Sequence, residues 1–358
     1  MAPEVASSNG AAPSEFDNAT VQLADGELIS SQDAPLGGQA VLEGVMMRGA
    51  STWSVAVRKP SEAQKAAHLA KGDERFLDGD EAALGEIEVT SAPFVSVARK
   101  HKWMRWPVIR GVVALYESMK IGFQALGISA DAQVPEEDGG EIGKGTWAGT
   151  VLVAVLFAVG LFFVVPVALT SLMRDFVPNG IVFVIVEKVI RLSIFLLYMW
   201  GISRIKDLQR VFEYHGAEHK TIHCYEANLP LTPENAQRFS RFHPRCGTSF
   251  LLLVMLVAIL IFAWVPTEHL YVLIPSRVLG IPIVAGLSFE VLKWFGRNRT
   301  KAWARALMWP GIQLQRLTTR EPDLPQLAVA IAALEAVLAV EDPRAASKED
   351  RIALEIGA

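Results

Sequence analysis

Apolar residues divide the chain into a polar beginning, a membrane-like middle and a mixed end. Residues 147–173 carry no charge and are long enough to cross the roughly 30 Å hydrocarbon core of a bilayer, which takes about 20 helical residues. Residues 180–202 form a second apolar run, interrupted by Glu187, Lys188 and Arg191, of which Glu187 and Arg191 stand one helical turn apart and are expected to pair. Residues 248–265 form a third, short and almost purely apolar. Residues 270–292 form a weaker fourth, with Pro275, Arg277, Pro282 and Glu290, for which a re-entrant or buried helix is the alternative. The pattern predicts a mainly α, integral membrane protein with about four transmembrane helices.

Outside these runs the period changes. Alternation in Trp53-Ser-Val-Ala-Val57 and again in residues 85–90 predicts a small β element within a cytoplasmic or interfacial α+β segment over 34–130. A polar stretch at 60–83 is expected to be a variable insertion. Val108, Val112, Leu115 and Met119 recur at helical spacing, which predicts a helix lying on or against the membrane. Residues 1–33 are expected to be a disordered tail and 131–146 a linker. A 147–292 membrane domain contains a cytoplasmic loop at 203–247. A C-terminal segment follows at 293–342, with an Ala/Leu helix over 324–340, and then a loose tail at 343–358.

Composition supports the membrane class: 51% of the 358 residues are hydrophobic and 20% charged. The net charge of −4 offers no basic field for nucleic acid. The N-terminus has neither the basic nor the apolar region of a signal peptide. Lys and Arg concentrate before the first run, in the 203–247 loop and after the fourth run. With four spans these regions share one side, which places them and both termini in the cytoplasm of a multi-pass bacterial inner-membrane protein. Cys224 and Cys246 then lie in a reducing compartment, where a disulfide between them is not expected. The lipid bilayer is the expected partner.

The chemistry concentrates in the 203–247 loop. Of seven histidines, His215, His219 and His223 fall four apart and His243 follows in the same loop. Residues 204–227 read as a polar helix, so the first three form a stripe on one face with Glu218 beside them. His215-Gly-Ala-Glu218-His219 has the spacing of an inverted zinc motif, two imidazoles one turn apart with a carboxylate placed to act as general base. The alternative is a polar interfacial helix whose histidines face water. His243-Pro-Arg-Cys246 stands just before the third run, where a helix N-terminus favours a thiolate. His215, His219, His243 and Cys246 are therefore the expected ligands of a divalent, zinc-like metal, with Glu218 catalytic. His223, Glu226 and Glu290 are further ligand candidates. Gly37-Gly-Gln-Ala-Val-Leu-Glu43-Gly-Val-Met-Met-Arg48-Gly49 is a second unusual stretch, and is neither a P-loop nor a dinucleotide fingerprint. Glu43, Arg48, Lys220 and Arg245 are candidate substrate-binding residues.

Together the Gly37–Gly49 stretch, Tyr214-His-Gly-Ala-Glu-His-Lys220, His243-Pro-Arg-Cys-Gly-Thr248, Pro310-Gly-Ile-Gln-Leu-Gln315 and Thr318-Thr-Arg-Glu-Pro322 resemble the YqhQ-like bacterial membrane family, the domain of unknown function 1385. The resemblance runs over about residues 37–336. It implies an integral membrane protein and a predicted metal-dependent enzyme, and it maps onto His215, Glu218, His219, His243 and Cys246. The expectation is a metal-dependent membrane hydrolase acting on a peptide, amide or lipid-linked substrate from the inner leaflet. The alternative is a non-enzymatic scaffold or partner-binding protein with a structural metal.

Overall fold

Alternating side chains along residues 37–58 build an antiparallel meander. The structure is a computed structural model that describes residues 20–23, 26–30, 32, 34–61, 85–99, 101–133, 143–173, 176, 181–262, 270–298 and 301–345. Strands β3 (Gly37–Val41), β4 (Gly44–Arg48), β5 (Thr52–Arg58) and β6 (Ile87–Pro93) pair in sequence order. A smaller hairpin of β1 (Thr20–Gln22) and β2 (Leu28–Ser30) precedes them. The two-residue turn between β3 and β4 sets Val41 opposite Gly44 and puts Glu43 in the left-handed region, φ 49°. That conformation is uncommon for a residue with a side chain.

Both faces of this sheet are covered. Val45, Met47 and Ala56 pack with Tyr214, Ala217, Leu327, Ala330 and Leu334, while Val41, Met46, Trp53, Val55 and Val57 pack with Ile121 and Ala125. The second set belongs to α1 (Ile109–Ala132), the helix expected from its period. The first set brings in the helix that carries the histidine stripe and the C-terminal Ala/Leu helix. The latter is held at its start by a reciprocal capping box between Asp323 and Gln326.

Within the described residues each of the four expected spans is mostly helical, with different capacities to cross a bilayer. Helix α2 (Lys144–Val159) continues through a π-helical turn at Gly160–Val164 into α3 (Val165–Leu172). Residues Gly145–Leu172 and Val278–Phe295 are long and apolar enough to cross a membrane. The second window lies in α8 (Leu270–Arg297), and α4 (Ile181–Ile202) and α7 (Gly247–Phe262) are the other two. Among the described residues, α7 has 16 residues, about 24 Å of helix and short of a 30 Å core. Glu187 in α4 pairs with Arg191, as expected, and with Lys188, which breaks the apolar run. The expectation of four spans is thus reduced to two helices that meet the requirement. Residues 1–19, 62–83, 134–142 and 346–358, which include most of the expected tails, insertion and linker, lie outside the described residues.

Candidate metal centre

The expected polar helix forms as α5 (Lys206–Glu226), and 11 of its 21 residues are buried, so the stripe faces protein rather than water. A short helix α6 (Pro233–Gln237) turns the chain back, and the loop before α7 delivers His243 and Cys246 to the stripe. Helix α9 (Ala302–Thr318) closes the other side. The imidazoles form a continuous row. Ring centroids are 4.5 Å apart for His215–His219, 5.6 Å for His219–His243 and 4.6 Å for His223–His243.

Backbone carbonyls decide which nitrogen of each ring faces the site. A carbonyl oxygen only accepts, so His215 Nδ1–H donates to Thr318 O at 2.8 Å and His219 Nδ1–H donates to Arg241 O at 2.5 Å. Both Nε2 atoms are then left with lone pairs. That of His215 lies 3.2 Å from Cys246 Sγ. That of His219 is buried and, among the described residues, has no hydrogen-bond partner. The three ligand atoms of His215, His219 and Cys246 lie within 4.8 Å of one another. Zinc bonds of about 2.0–2.3 Å in a tetrahedron separate ligand atoms by roughly 3.3–3.7 Å, so the donor set fits with a small contraction. Fixing the distal imidazole nitrogen on a carbonyl is also how proteins orient metal-bound histidines.

His243 departs from the expected set. It stands with His223 and Glu226 in a second group whose ligand atoms are again within 4.8 Å of one another. The reason is the amide of Gln315, which accepts from His243 N at 2.9 Å and donates to His243 O at 2.7 Å, holding the loop so that its ring passes beyond His219. His223 is buried, and burial, then the neighbouring His243, push its pKa down to about 3.

Glu218 stands near His215 but outside the ligand group. Its side chain lies against Gly38, where an added Cβ would meet Oε1 at 2.5 Å. Among the described residues Oε1 is buried without a hydrogen-bond partner. Burial pushes the carboxyl up to about 7, against the pull of His215.

The remaining candidates are taken up by the fold. Glu290 receives the guanidinium of Arg110 through two hydrogen bonds, one of them 2.6 Å, so it is no ligand here. Arg48 is 3% exposed and pairs with Glu117 at 3.2 Å beneath the Phe94 ring. Glu43 accepts from Arg210 and Tyr214, which pins the strained β3–β4 turn to α5. Lys220 is buried, donates to Gln237 O at 2.9 Å and pairs with Glu321. Arg245 donates to Glu226 at 2.7 Å and to Ala34 O at 2.7 Å. Each of these four expected substrate-binding side chains thus has an internal partner.

Four residues that matter escaped the sequence reading. Thr318 and Arg241 act through their carbonyls, which leave no trace in side-chain identity. Position is a separate signal: Gln315 and Thr318 fall in the two stretches around 310–322 that resemble a family without suggesting chemistry. Gly216 belongs with them, because a Cβ there would strike the carbonyl of Arg320.

A family model described as a protein of unknown function, DUF1385, matches residues 106–340. The uncharacterized protein YqhQ of Bacillus subtilis (strain 168) is 34% identical over 322 residues, covering 85% of this chain and 92% of that protein. No solved structure matches the chain. With a family match spanning α1 to the C-terminal helix and a relative similar over most of both lengths, the chain belongs to the DUF1385 family, together with YqhQ.

Proposed function

We propose that this protein is a metal-dependent membrane hydrolase with a zinc-class ion held by His215, His219 and Cys246 at the cytoplasmic face. The observation that carries the reading is the pair of imidazoles whose Nδ1–H groups are spent on Thr318 O and Arg241 O, leaving Nε2 lone pairs beside one thiol. A buried Nε2 without a partner, as at His219, is costly in a folded protein unless something binds it. Three protein ligands leave a fourth position open, the arrangement of catalytic rather than structural zinc. The metal supplies Lewis acidity there. Glu218 provides the acid–base group, since it is buried next to His215 without a fixed hydrogen bond.

The membrane setting is supported by the two apolar helices and by what they expose. In the Gly145–Leu172 span only 6% of the window is buried, and Leu152, Val153, Leu156 and Phe157 are more than half exposed. An exposed apolar surface of that kind suits lipid. Basic residues flanking α5 and α8 favour the cytoplasmic side for the site and both termini. A substrate reached from the inner leaflet, a peptide, amide or lipid-linked compound, follows from that position. The scaffold reading asks for a closed four-ligand metal, and His243 stands with the other group.

Metal analysis of detergent-purified protein, prepared without chelator, tests this. Wild type and Glu218→Gln are expected to retain metal, and His219→Ala to lose the sulfur-ligated equivalent. Wild type devoid of stoichiometric metal sinks the proposal.

A further inference from the structure

We infer that His223, Glu226 and His243 form a second divalent-cation site, of the zinc class, next to the first. The three side chains are 1–2% exposed and come from one helix and the facing loop. Glu226 Oε2 lies 3.8 Å from His223 Nδ1 and 3.7 Å from His243 Nε2. These separations are too long for hydrogen bonds, which run about 2.7–3.2 Å. They are the separations of ligand atoms around one cation with bonds of about 2.0–2.3 Å, because a tetrahedron's edge is roughly 1.6 times its centre-to-corner distance.

The surrounding contacts orient the three donors inward. His223 Nε2–H donates to Phe242 O at 3.1 Å, which puts the lone pair on Nδ1, toward the carboxylate. A lone pair facing an anionic oxygen calls for a cation between them. Glu226 Oε1 is occupied by Arg245 at 2.7 Å and Ala34 N at 3.0 Å, so Oε2 alone is presented. Two further contacts are long: Ser30 N reaches His223 Nδ1, and Arg245 N reaches His243 Nδ1, each at 3.4 Å. Neither competes strongly with a metal bond. Binding through His243 Nε2 takes the neutral tautomer whose proton sits on Nδ1, which the long Arg245 N contact opposes only weakly. The ring of His243 sits 5.6 Å from that of His219, so the two sites adjoin across one pair of imidazoles.

Cobalt(II) distinguishes the sites, since only the first offers sulfur. The full chain in detergent is stripped with chelator, exchanged into chelator-free buffer and titrated with Co²⁺. Two equivalents are expected, one with near-ultraviolet thiolate-to-cobalt charge transfer and one with visible ligand-field bands alone. Cys246→Ser should remove the charge transfer and keep the sulfur-free equivalent. Glu226→Gln, which keeps the Oε1 acceptor for Arg245 and Ala34, should do the reverse, its surviving charge transfer serving as the control for folding. His243→Gln is the second variant, with the same expected result. Saturation of wild type at one equivalent with charge transfer overturns this inference, leaves an ion pair of Glu226 with Arg245, and spares the first site. One equivalent without charge transfer, kept in Cys246→Ser and lost in Glu226→Gln, upholds the inference and removes the ligand set proposed for function. No binding overturns both.

Discussion

Arg48 and Glu117 meet inside the seam between the sheet and α1, where Ser96 and the Val97 N–H also donate to the carboxylate. Both side chains are nearly sealed from solvent, at 4% and 2% exposure. Burial pulls the Arg48 guanidinium down, against the pull of Glu117. Removing one partner of such a pair leaves a buried charge and costs about 3–5 kcal/mol, whereas replacing both with apolar residues is often neutral. Glu117→Ala is therefore expected to destabilise by that amount in thermal unfolding, and Arg48→Met with Glu117→Leu to recover most of it. A loss below about 1 kcal/mol in Glu117→Ala would mean that Arg48 is solvated and open to a ligand after all. From the chain alone, a charged residue among glycines looks like a binding group. Its partner lies 69 positions away, and nothing local announces the pairing. The same holds for Glu43, Lys220 and Arg245, whose partners arrive from α5, Glu321 and α5 in turn.

Helix α5 works as the ruler of the site. Its fourfold spacing was legible because helical period is a local property, and the structure keeps the stripe from His215 to His223 on one face. The sorting of that stripe into two groups was not legible. It depends on how far the 239–246 loop reaches, which Gln315 of α9 sets by clamping the His243 backbone. Glycines record the close approaches. Gly38 on β3 gives Glu218 its place, and a methyl there would meet the carboxyl carbon at 2.6 Å. Gly38→Ala is expected to displace Glu218 and lower stability by about 1–3 kcal/mol, the usual cost of overpacking. Metal content should stay at the wild-type level, since Glu218 is outside the ligand group. Metal loss in a variant that still unfolds cooperatively would place Glu218 among the ligands.

Across the whole molecule, four distant stretches of sequence converge on a small volume. The β3–β4 hairpin backs Glu218, α5 carries the imidazoles, the loop before α7 brings Cys246, and α9 with residues 318–322 supplies the carbonyls and clamps. The apolar character of the middle was plain from hydropathy, which depends on composition over a window. The number of spans was not, because α7 stops within the described residues at 16 positions and α4 carries a buried charge cluster. The convergence favours one claim above the rest, that a thiolate and two imidazoles hold a metal. X-ray absorption at the zinc edge of the protein as isolated tests it most directly. The account predicts a sulfur scatterer at about 2.3 Å together with nitrogen scatterers at about 2.0–2.1 Å, the sulfur vanishing in Cys246→Ser. Zinc bound with a shell of nitrogen and oxygen only, unchanged by Cys246→Ser, would contradict it.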